Sequence, residues 1–560
     1  MGDGIKGERL TVESTLDVES KSETIGYRRL RSPASHGQTL QFPPLQHVDR
    51  LWKSNLESQV AGAAQELGAS ALVDLQRMAR EEMVELASSY SGSYLDSAQD
   101  VSTNQIVMAG HQPELFHPGV WYKNFVLSNL GQRFQCTAIN LVVDNDICGS
   151  ASIRFPKVSE GLSGDKQVTV GTIPVDRSGP NVAFESREIQ DWEFFEQFRE
   201  RAEHAINKQV QNPIVARLWP HVIEAAERFS LSHQQRLGSL IAAGRHRLES
   251  EAGLQTLEVP VSHLAETKSF SNFASLILLE LDRFRAQYNT ALMEYRTVHG
   301  IRSRSHPVPE LETIDGWVEA PFWVWHADPT NGTGQRQRLF AKPTGSCIML
   351  SDRAGWESKI ELSSFAEQFG ALGNSGVLIR PRALMTTMFA RLLLCDLFLH
   401  GIGGSKYDQL TDVIATRFFG IQLPGFLTLT ATMKLPTDVE LVRRSDLTAI
   451  SQQIRDLKFH PELHISNPST EVNELITQKR NWTIGEHRGE RSRQKHVAIN
   501  DLNDQLSKYV DVNVAALEAA RIEAAKKTRA TEILDSREHS FCLFPESLID
   551  ELKAIAVVEN

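Results

Sequence analysis

The chain has 560 residues, of which 41% are hydrophobic and 23% charged, with a formal net charge of -11. That length exceeds the roughly 250–300 residues at which a single core stops growing, so two or three domains are expected. The acidic balance argues against a nucleic-acid backbone as partner, and no run approaches the roughly 18 apolar residues a membrane span needs.

Residues 1–30 interleave acids and bases without an apolar stretch, which is not a secretory signal, and Lys6 stands where myristoylation wants Ser or Thr. Cys136, Cys148, Cys347, Cys395 and Cys542 are widely spaced with no C-x-x-C pair. Neither a disulfide framework nor a zinc knuckle is expected, and a reducing cytoplasm is the natural compartment. Cys148, just after an acidic triplet, suits either a small buried hydrophobe or a site residue.

Residues 1–40 are polar, aperiodic and Ser-rich, and are expected to be disordered. From Val48 to Tyr94 the apolar spacing is helical, leading into a strand at Gln105–Ala109. The stretch from Val107 to Ser150 reads as a strand, a Gly/His/Pro-rich loop, an amphipathic helix and a second strand ending in Asp144, Asn145 and Asp146. That is one βαβ unit of an α/β domain. Residues 151–180 alternate as strands do, and about 186–250 is helical, with Trp192, Phe195 and Phe198 on one stripe. LEVPVSHLAET reads as a strand and a loop, followed by one helix over about 271–298. Residues 181–305 are therefore expected as a mainly helical insertion in the α/β core.

Between Trp317 and Ser351 two strands are expected around a turn at Asn331, Gly332 and Gly334. Trp323, Trp325 and His326 on that hairpin suit a core cluster or a ligand platform. Next come a strand ending at Arg380-Pro381-Arg382, an apolar helix from Met385 to Leu399, and the glycines Gly401, Gly403 and Gly404. A helix with Tyr407 and Asp408 in its first turn and a strand after Pro424 complete this block. The glycines suit an anion site at a helix start or a plain helix–helix turn. From Asp438 to Thr531 the chain reads as charge-laced helix with a loose seam of Leu502, Leu506, Leu517 and Ile522. Its basic run, Lys479 to His496 with Arg488, Arg491, Arg493 and Lys495, reads as a solvated helix face; no nucleic-acid partner is expected.

If the loop after the first strand and the acidic triplet both lie at the C-terminal edge of a parallel sheet, His111 and His117 face Asp144 and Asp146 across the crevice. A carboxylate neighbour would raise the histidine pKa and orient its ring for acid–base work, and Lys123 would neutralise a phosphate or carboxylate. The bland alternative is a satisfied buried His111 and a tight turn at His117-Pro118-Gly119. Two His and two Asp can bind a metal, but no His-x-His or His-x-x-x-His spacing supports one, so none is expected. There is no Walker A motif, no G-x-G-x-x-G and no His-x-Gly-His.

The order of these motifs resembles the cysteine-adding enzyme family of bacillithiol biosynthesis, which joins cysteine to the amino group of glucosaminyl malate. The family's Gly-Gln-Gln loop, Gly-Pro and Tyr-Lys correspond to Gly110, His111 and Gln112, then Pro118 and Gly119, then Tyr122 and Lys123. Its Asp-His-Asp-like triplet corresponds to Asp144, Asn145 and Asp146. Its later Arg-Pro and Gly-Gly with Tyr correspond to Arg380 and Pro381, then Gly403, Gly404 and Tyr407, and its late Gln-Glu-Arg is echoed at Arg537-Glu538. The match covers about 105–150 and 376–432.

What the resemblance implies is a Rossmann-like, nucleotidyltransferase-like parallel sheet core with helical insertions. Its first half would lie in 41–180 and its second half, with the hairpin, in 306–436. A helical coiled-coil arm in 437–531 would pair protomers as a homodimer, and 532–560 would return to the core. The implied activity is a cytoplasmic ligase joining cysteine or a related amino acid to an amine-bearing, sugar-linked small molecule. His111, Asp144 and Asp146 would be catalytic. Gly110, Gln112, His117, Gly119, Lys123, Asn145, Arg380, Gly403, Gly404 and Tyr407 would bind substrate or nucleotide. The cofactor is left open, with ATP or ADP as the candidate. The chain departs from the family at His111 (Gln there), Asn145 (His there), Ser405-Lys406 and Leu427 to Thr430. Two alternatives stand beside this reading: a nucleotidyltransferase-like enzyme on another small molecule, and a catalytically inert coiled-coil scaffold that retains the core.

Overall fold

The computed structural model describes residues 25–557 apart from 28, 69, 97–100, 103, 150, 161–165, 231–234, 327–333, 438–443, 485–489 and 511–513. The turn at Asn331-Gly332, Arg488 and most of the segment expected to be disordered thus lie outside the described residues. The chain divides into two compact units, one of residues 1–153, 172–433 and 537–560, the other of 154–171 and 434–536.

The first unit opens with strand β1 (Gln38–Phe42) and helices α1 (Val48–Gly62) and α2 (Leu72–Gly92). Strand β2 (Ile106–His111), helix α3 (Pro118–Phe134) and strand β3 (Thr137–Val142) form the expected βαβ unit. A hairpin of β4 (Ser152–Glu160) and β5 (Lys166–Pro174), most of which belongs to the second unit, follows in the chain. The tract expected as a helical insertion is broken into α4 (Trp192–Glu196), α5 (Phe198–Ile206), α6 (Val215–Ser230) and α7 (Leu237–Glu251). It then returns to the sheet as β6 (Leu257–Pro260), which pairs in parallel with β3. Helices α8 (Val261–Leu264), α9 (Lys268–Leu278) and α10 (Leu281–His299) stand where one loop and one helix were expected.

The hairpin region is a separate antiparallel sheet. Its strands are β7 (Trp317–His326), β8 (Gln337–Thr344), β9 (Cys347–Ser351), β10 (Glu357–Glu361) and, after helix α11 (Phe365–Ala371), β11 (Val377–Pro381), in the order β10-β9-β8-β7-β11. Arg380 therefore ends an antiparallel strand. The apolar run after it is not one helix. Helix α12 (Ala383–Phe389) passes into a π-helical turn at Ala390–Leu394, and Leu397–His400 is strand β12. Helix α13 (Ile402–Phe419) and strand β13 (Phe426–Thr432) complete this part.

The central sheet has the order β1-β13-β12-β2-β3-β6, with every pair parallel except β1 against β13. From β2 the chain fills the sheet outward through β3 and β6, then crosses back to fill the other side through β12 and β13. Strand order thus reverses between β2 and β12. Ile106, Met108, Ile139, Leu141, Leu257 and Val259 face one side and join the main apolar core. The alternate residues His111, Asn140 and Glu258 face the other, as the two-residue period of strands requires. Asp396 pins the start of β2. Its carboxylate accepts the Ile106 amide at 2.6 Å and Arg80 Nη2 of α2 at 2.8 Å, and its carbonyl accepts Asn55 Nδ2 of α1 at 2.8 Å.

The second unit has helices α14 (Arg444–Phe459), α15 (Thr470–Ile484), α16 (Glu490–Leu506) and α17 (Val514–Leu534), with α14 packed on α17 and α15 on α16. Leu502 and Leu506 are buried as expected, but Ile522 is exposed, and Ala524 and Thr528 take the inner positions on α17. Helix α18 (Ser547–Ile555) ends the first unit. Among the described residues no helix is long and apolar enough to cross a membrane.

Candidate functional site

The C-terminal ends of β2, β3 and β12 lie along one edge of the central sheet, where open α/β sheets hold their ligands. Gly110 and His111 are the last residues of β2 rather than loop residues. Two blocks distant in sequence meet beside this edge. Asn145 Nδ2 donates to the Pro381 carbonyl at 2.8 Å, across 236 residues. Gln112 Nε2 donates to Asp146 Oδ2 at 3.2 Å, so the loop after β2 reaches the triplet.

Each member of the triplet has a different environment. Asp144 is buried and accepts the Ser262 amide at 2.9 Å and its hydroxyl at 2.5 Å, so it tethers the start of α8. Burial pushes its carboxyl up. Asn145 is also buried, and its Oδ1 has no hydrogen-bond partner among the described residues. Asp146 is the accessible one, with its side chain 44% exposed and Arg336 Nη1 3.4 Å away. Glu114, exposed on the same loop, has its carboxyl pushed up by desolvation and by the charge of Asp146. Arg336 and Arg382 both stack on Trp323, with guanidinium carbons 4.4 and 4.2 Å from the ring centroid. Trp323 is therefore a platform for protein cations.

Arg380 is almost fully buried and ion-pairs with Glu185 at 2.9 Å and Glu266 at 3.1 Å. It does not present its charge to a ligand in this arrangement. Burial pushes the Glu185 carboxyl up to about 7, against the pull of Arg380, and Asp144 and Glu266 add to the rise. One guanidinium faces three carboxylates and does not offset that burial. The folded chain therefore holds a proton that the unfolded chain, with an ordinary value of 4.5, releases. The resulting stability is complete below about pH 4.5 and is lost as pH rises through about 7. Glu185→Gln is expected to flatten the decline of the thermal midpoint between pH 5 and 8. Equal slopes in both proteins would contradict this assignment.

His111 departs from the expectation of a histidine raised by a carboxylate. Its Nδ1 donates to the Gln112 carbonyl at 3.1 Å, and its Nε2 lies 3.3 Å from both Asn140 Nδ2 and Asn124 Oδ1. Burial, with Arg245 and Lys123 adding, holds it well below the ordinary histidine range, so it is neutral. It belongs to a buried network under α3. Arg245 donates to Glu249 at 2.8 Å and to Glu258 at 2.5 Å, and Glu249 also accepts Trp121 Nε1 and Asn124 Nδ2 at 2.6 and 2.8 Å.

Lys123, expected to meet an anion, is buried with Nζ donating to the Gly110 carbonyl at 2.9 Å; burial brings it down to about 8. His117 is the N-cap of α3, where Nδ1 accepts the Gly119 amide at 3.0 Å, and burial brings it down to about 4. Gly119 permits close packing, since a Cβ there would sit 2.3 Å from the Ala431 carbonyl. Gly403 and Gly404 are exposed in the first turn of α13, whose N-terminus no side chain caps. Tyr407 lies one turn later, against His306. Among the described residues no group of three or more His, Cys, Asp or Glu is arranged to hold a metal ion.

Sequence reasoning missed Glu185, Glu266, Arg336, Arg245, Glu249, Glu258 and His400. Glu258 carried a signal, as the one charge in the strand LEVP. So did His400, which closes the apolar LFLH. Fold and edge together define a mixed α/β protein with a mainly parallel central sheet and polar side chains gathered at its strand ends. No family model matches the sequence, and no curated protein matches it.

Proposed function

We propose that this chain is a small-molecule ligase of the bacillithiol cysteine-adding type, forming a C–N bond between an amino acid and an amine-bearing, sugar-linked acceptor. The observation that carries the reading is the 2.8 Å contact of Asn145 with Pro381, which joins the two blocks of the resemblance into one edge. The reversal of strand order between β2 and β12 supports the reading of a Rossmann-like core, since doubly wound sheets bind ligands at such a point.

Asp146, the accessible carboxylate, would take the proton from the acceptor's ammonium. The free amine nitrogen then attacks the activated carboxyl carbon; as the C–N bond forms, the leaving group departs with the electrons of the broken C–O bond and takes up the second N–H proton. Gln112 orients Asp146, and His111 holds the Gln112 carbonyl, so His111 is a positioning residue here. Asp144 is likewise a positioning residue, through Ser262. Gly403 and Gly404 fit a nucleotide's phosphates by their exposed backbone at the head of α13. A bound nucleotide would supply the activation of the carboxyl. The helices of 437–531 would form the coiled coil of a cytoplasmic homodimer.

Asp146→Asn is expected to leave folding intact. It should lower product formation about 10²–10⁴-fold and abolish the thermal shift given by acceptor plus amino acid. The measurement is mass-spectrometric detection of the amide with amino sugars, cysteine and ATP, paired with thermal melts. A wild-type protein that makes no C–N product and shows no shift across that panel refutes the proposal.

A further inference from the structure

We propose that His400 and Asp408 form a second acid–base centre, at the point where strand order reverses, with His400 Nδ1 accepting a proton from an amine or hydroxyl ligand seated at the head of α13. His400 is the last residue of β12, which lies next to β2 in the sheet. Its Nε2 lies 2.9 Å from Asp408 Oδ2. The carboxylate accepts, so Nε2 carries the hydrogen and Nδ1 is left as the basic nitrogen.

Asp408 is fixed as a carboxylate. Burial works to raise it, but Arg391 and His400 outweigh burial and hold it well below the usual carboxylate range. Arg391 Nη1 is 2.5 Å from Asp408, its Nη2 is 2.7 Å from Asp412, and its Nε donates to the Pro424 carbonyl at 3.1 Å. The imidazole is packed between Phe398 and Phe426, with centroids at 4.6 and 4.9 Å. The charges facing it are thus Asp408 directly, with Arg391 and Asp412 behind. Nδ1 points at the first turn of α13, 2.8 Å from where a Cβ on Gly404 would sit. Glycine there leaves only hydrogen against the nitrogen, while Gly401 and Gly403 have open space beside them. A buried histidine oriented by a fixed carboxylate, with its second nitrogen aimed at an uncapped helix start, has the arrangement general-base histidines require.

The step moves one proton. It leaves the ligand's N–H or O–H for Nδ1, the bonding pair stays on the ligand atom, and Asp408 balances the imidazolium through Nε2–H. Only the amine's identity rests on the ligase reading; the pair and its geometry do not.

The test is carbethoxylation of the full chain by diethyl pyrocarbonate, resolved by peptide mass spectrometry between pH 5.5 and 8.5, with the 57% exposed His460 as internal reference. His400 is expected to react in the native protein within about ten-fold of His460. Gly404→Ala should slow it more than about ten-fold at unchanged His460 reactivity, and Asp408→Asn should slow it as well, because the imidazole loses the carboxylate that orients it. A native wild-type protein in which His400 stays unmodified, while urea-unfolded protein is modified there, overturns the proposal without reference to any variant. An inert His400 in a protein that makes the amide refutes this centre alone. A reactive His400 in a protein that makes no amide refutes the ligase reading alone.

Discussion

Arg245→Ala is expected to destabilise the protein by about 3–5 kcal/mol, as removal of one partner from a buried ion network does. Arg245 is 1% exposed and lies between Glu249 and Glu258, themselves 1% and 0% exposed. Burial opposes its charge, yet the two carboxylates hold it above the ordinary arginine range. Without the guanidinium, two buried carboxylates face each other with no cation between them, and at least one must take up a proton. The loss should therefore be largest near neutral pH and shrink as pH falls toward about 4.5, where free glutamates protonate. Arg245→Lys should fall between wild type and alanine, since an ammonium keeps the charge but not the two-pronged geometry that reaches both acids. Urea denaturation at pH 5 and pH 7.5 measures both effects. A loss under about 1 kcal/mol at pH 7.5 would mean that the network does not hold α7 to the sheet.

Asp396→Ala is expected to cost a similar amount, about 3–5 kcal/mol, by a different route. Arg80, whose side chain is 8% exposed, would lose its only carboxylate among the described residues, and the Ile106 amide would lose its 2.6 Å acceptor at the entrance of β2. Asp396→Asn keeps an acceptor for that amide while removing the charge, so its loss should be smaller. Hydrogen exchange at the Ile106 amide separates the two contributions: strong protection in wild type and in the asparagine variant, and lost protection in the alanine variant. Unchanged protection in Asp396→Ala would show that β2 is set by its neighbouring strands alone.

Much of the fold was legible where pattern and length agree. The six-residue apolar strands β2 and β3 around an amphipathic α3 announced a βαβ unit, and the motif order brought Asp144–Asp146 and Arg380–Pro381 together. The failures have physical causes. The run from Met385 to Leu399 is mostly apolar, so its periodicity could not distinguish helix from buried strand; Asp396, its one charge after Arg391, marks where helix gives way to strand. Strand β6 was legible in LEVPVSHLAET, whereas the four-residue β12 lay hidden at the end of that apolar run. At the site, residue types were legible but their partners were not. Whether His111 meets a carboxylate or Asn124 and Asn140 depends on which face of β2 it occupies and on what α7 brings beneath α3, and neither is encoded locally.

The central sheet is assembled out of chain order, and that has a consequence for synthesis. Val107 pairs with Leu397, and Ile106 waits for Asp396, 290 residues further on. At about 5–20 residues per second, the β12-facing edge of β2 stays unpaired on the ribosome for roughly 15–60 s. Until then the apolar face of the βαβ unit lacks the later strands and helices that cover it in the folded chain.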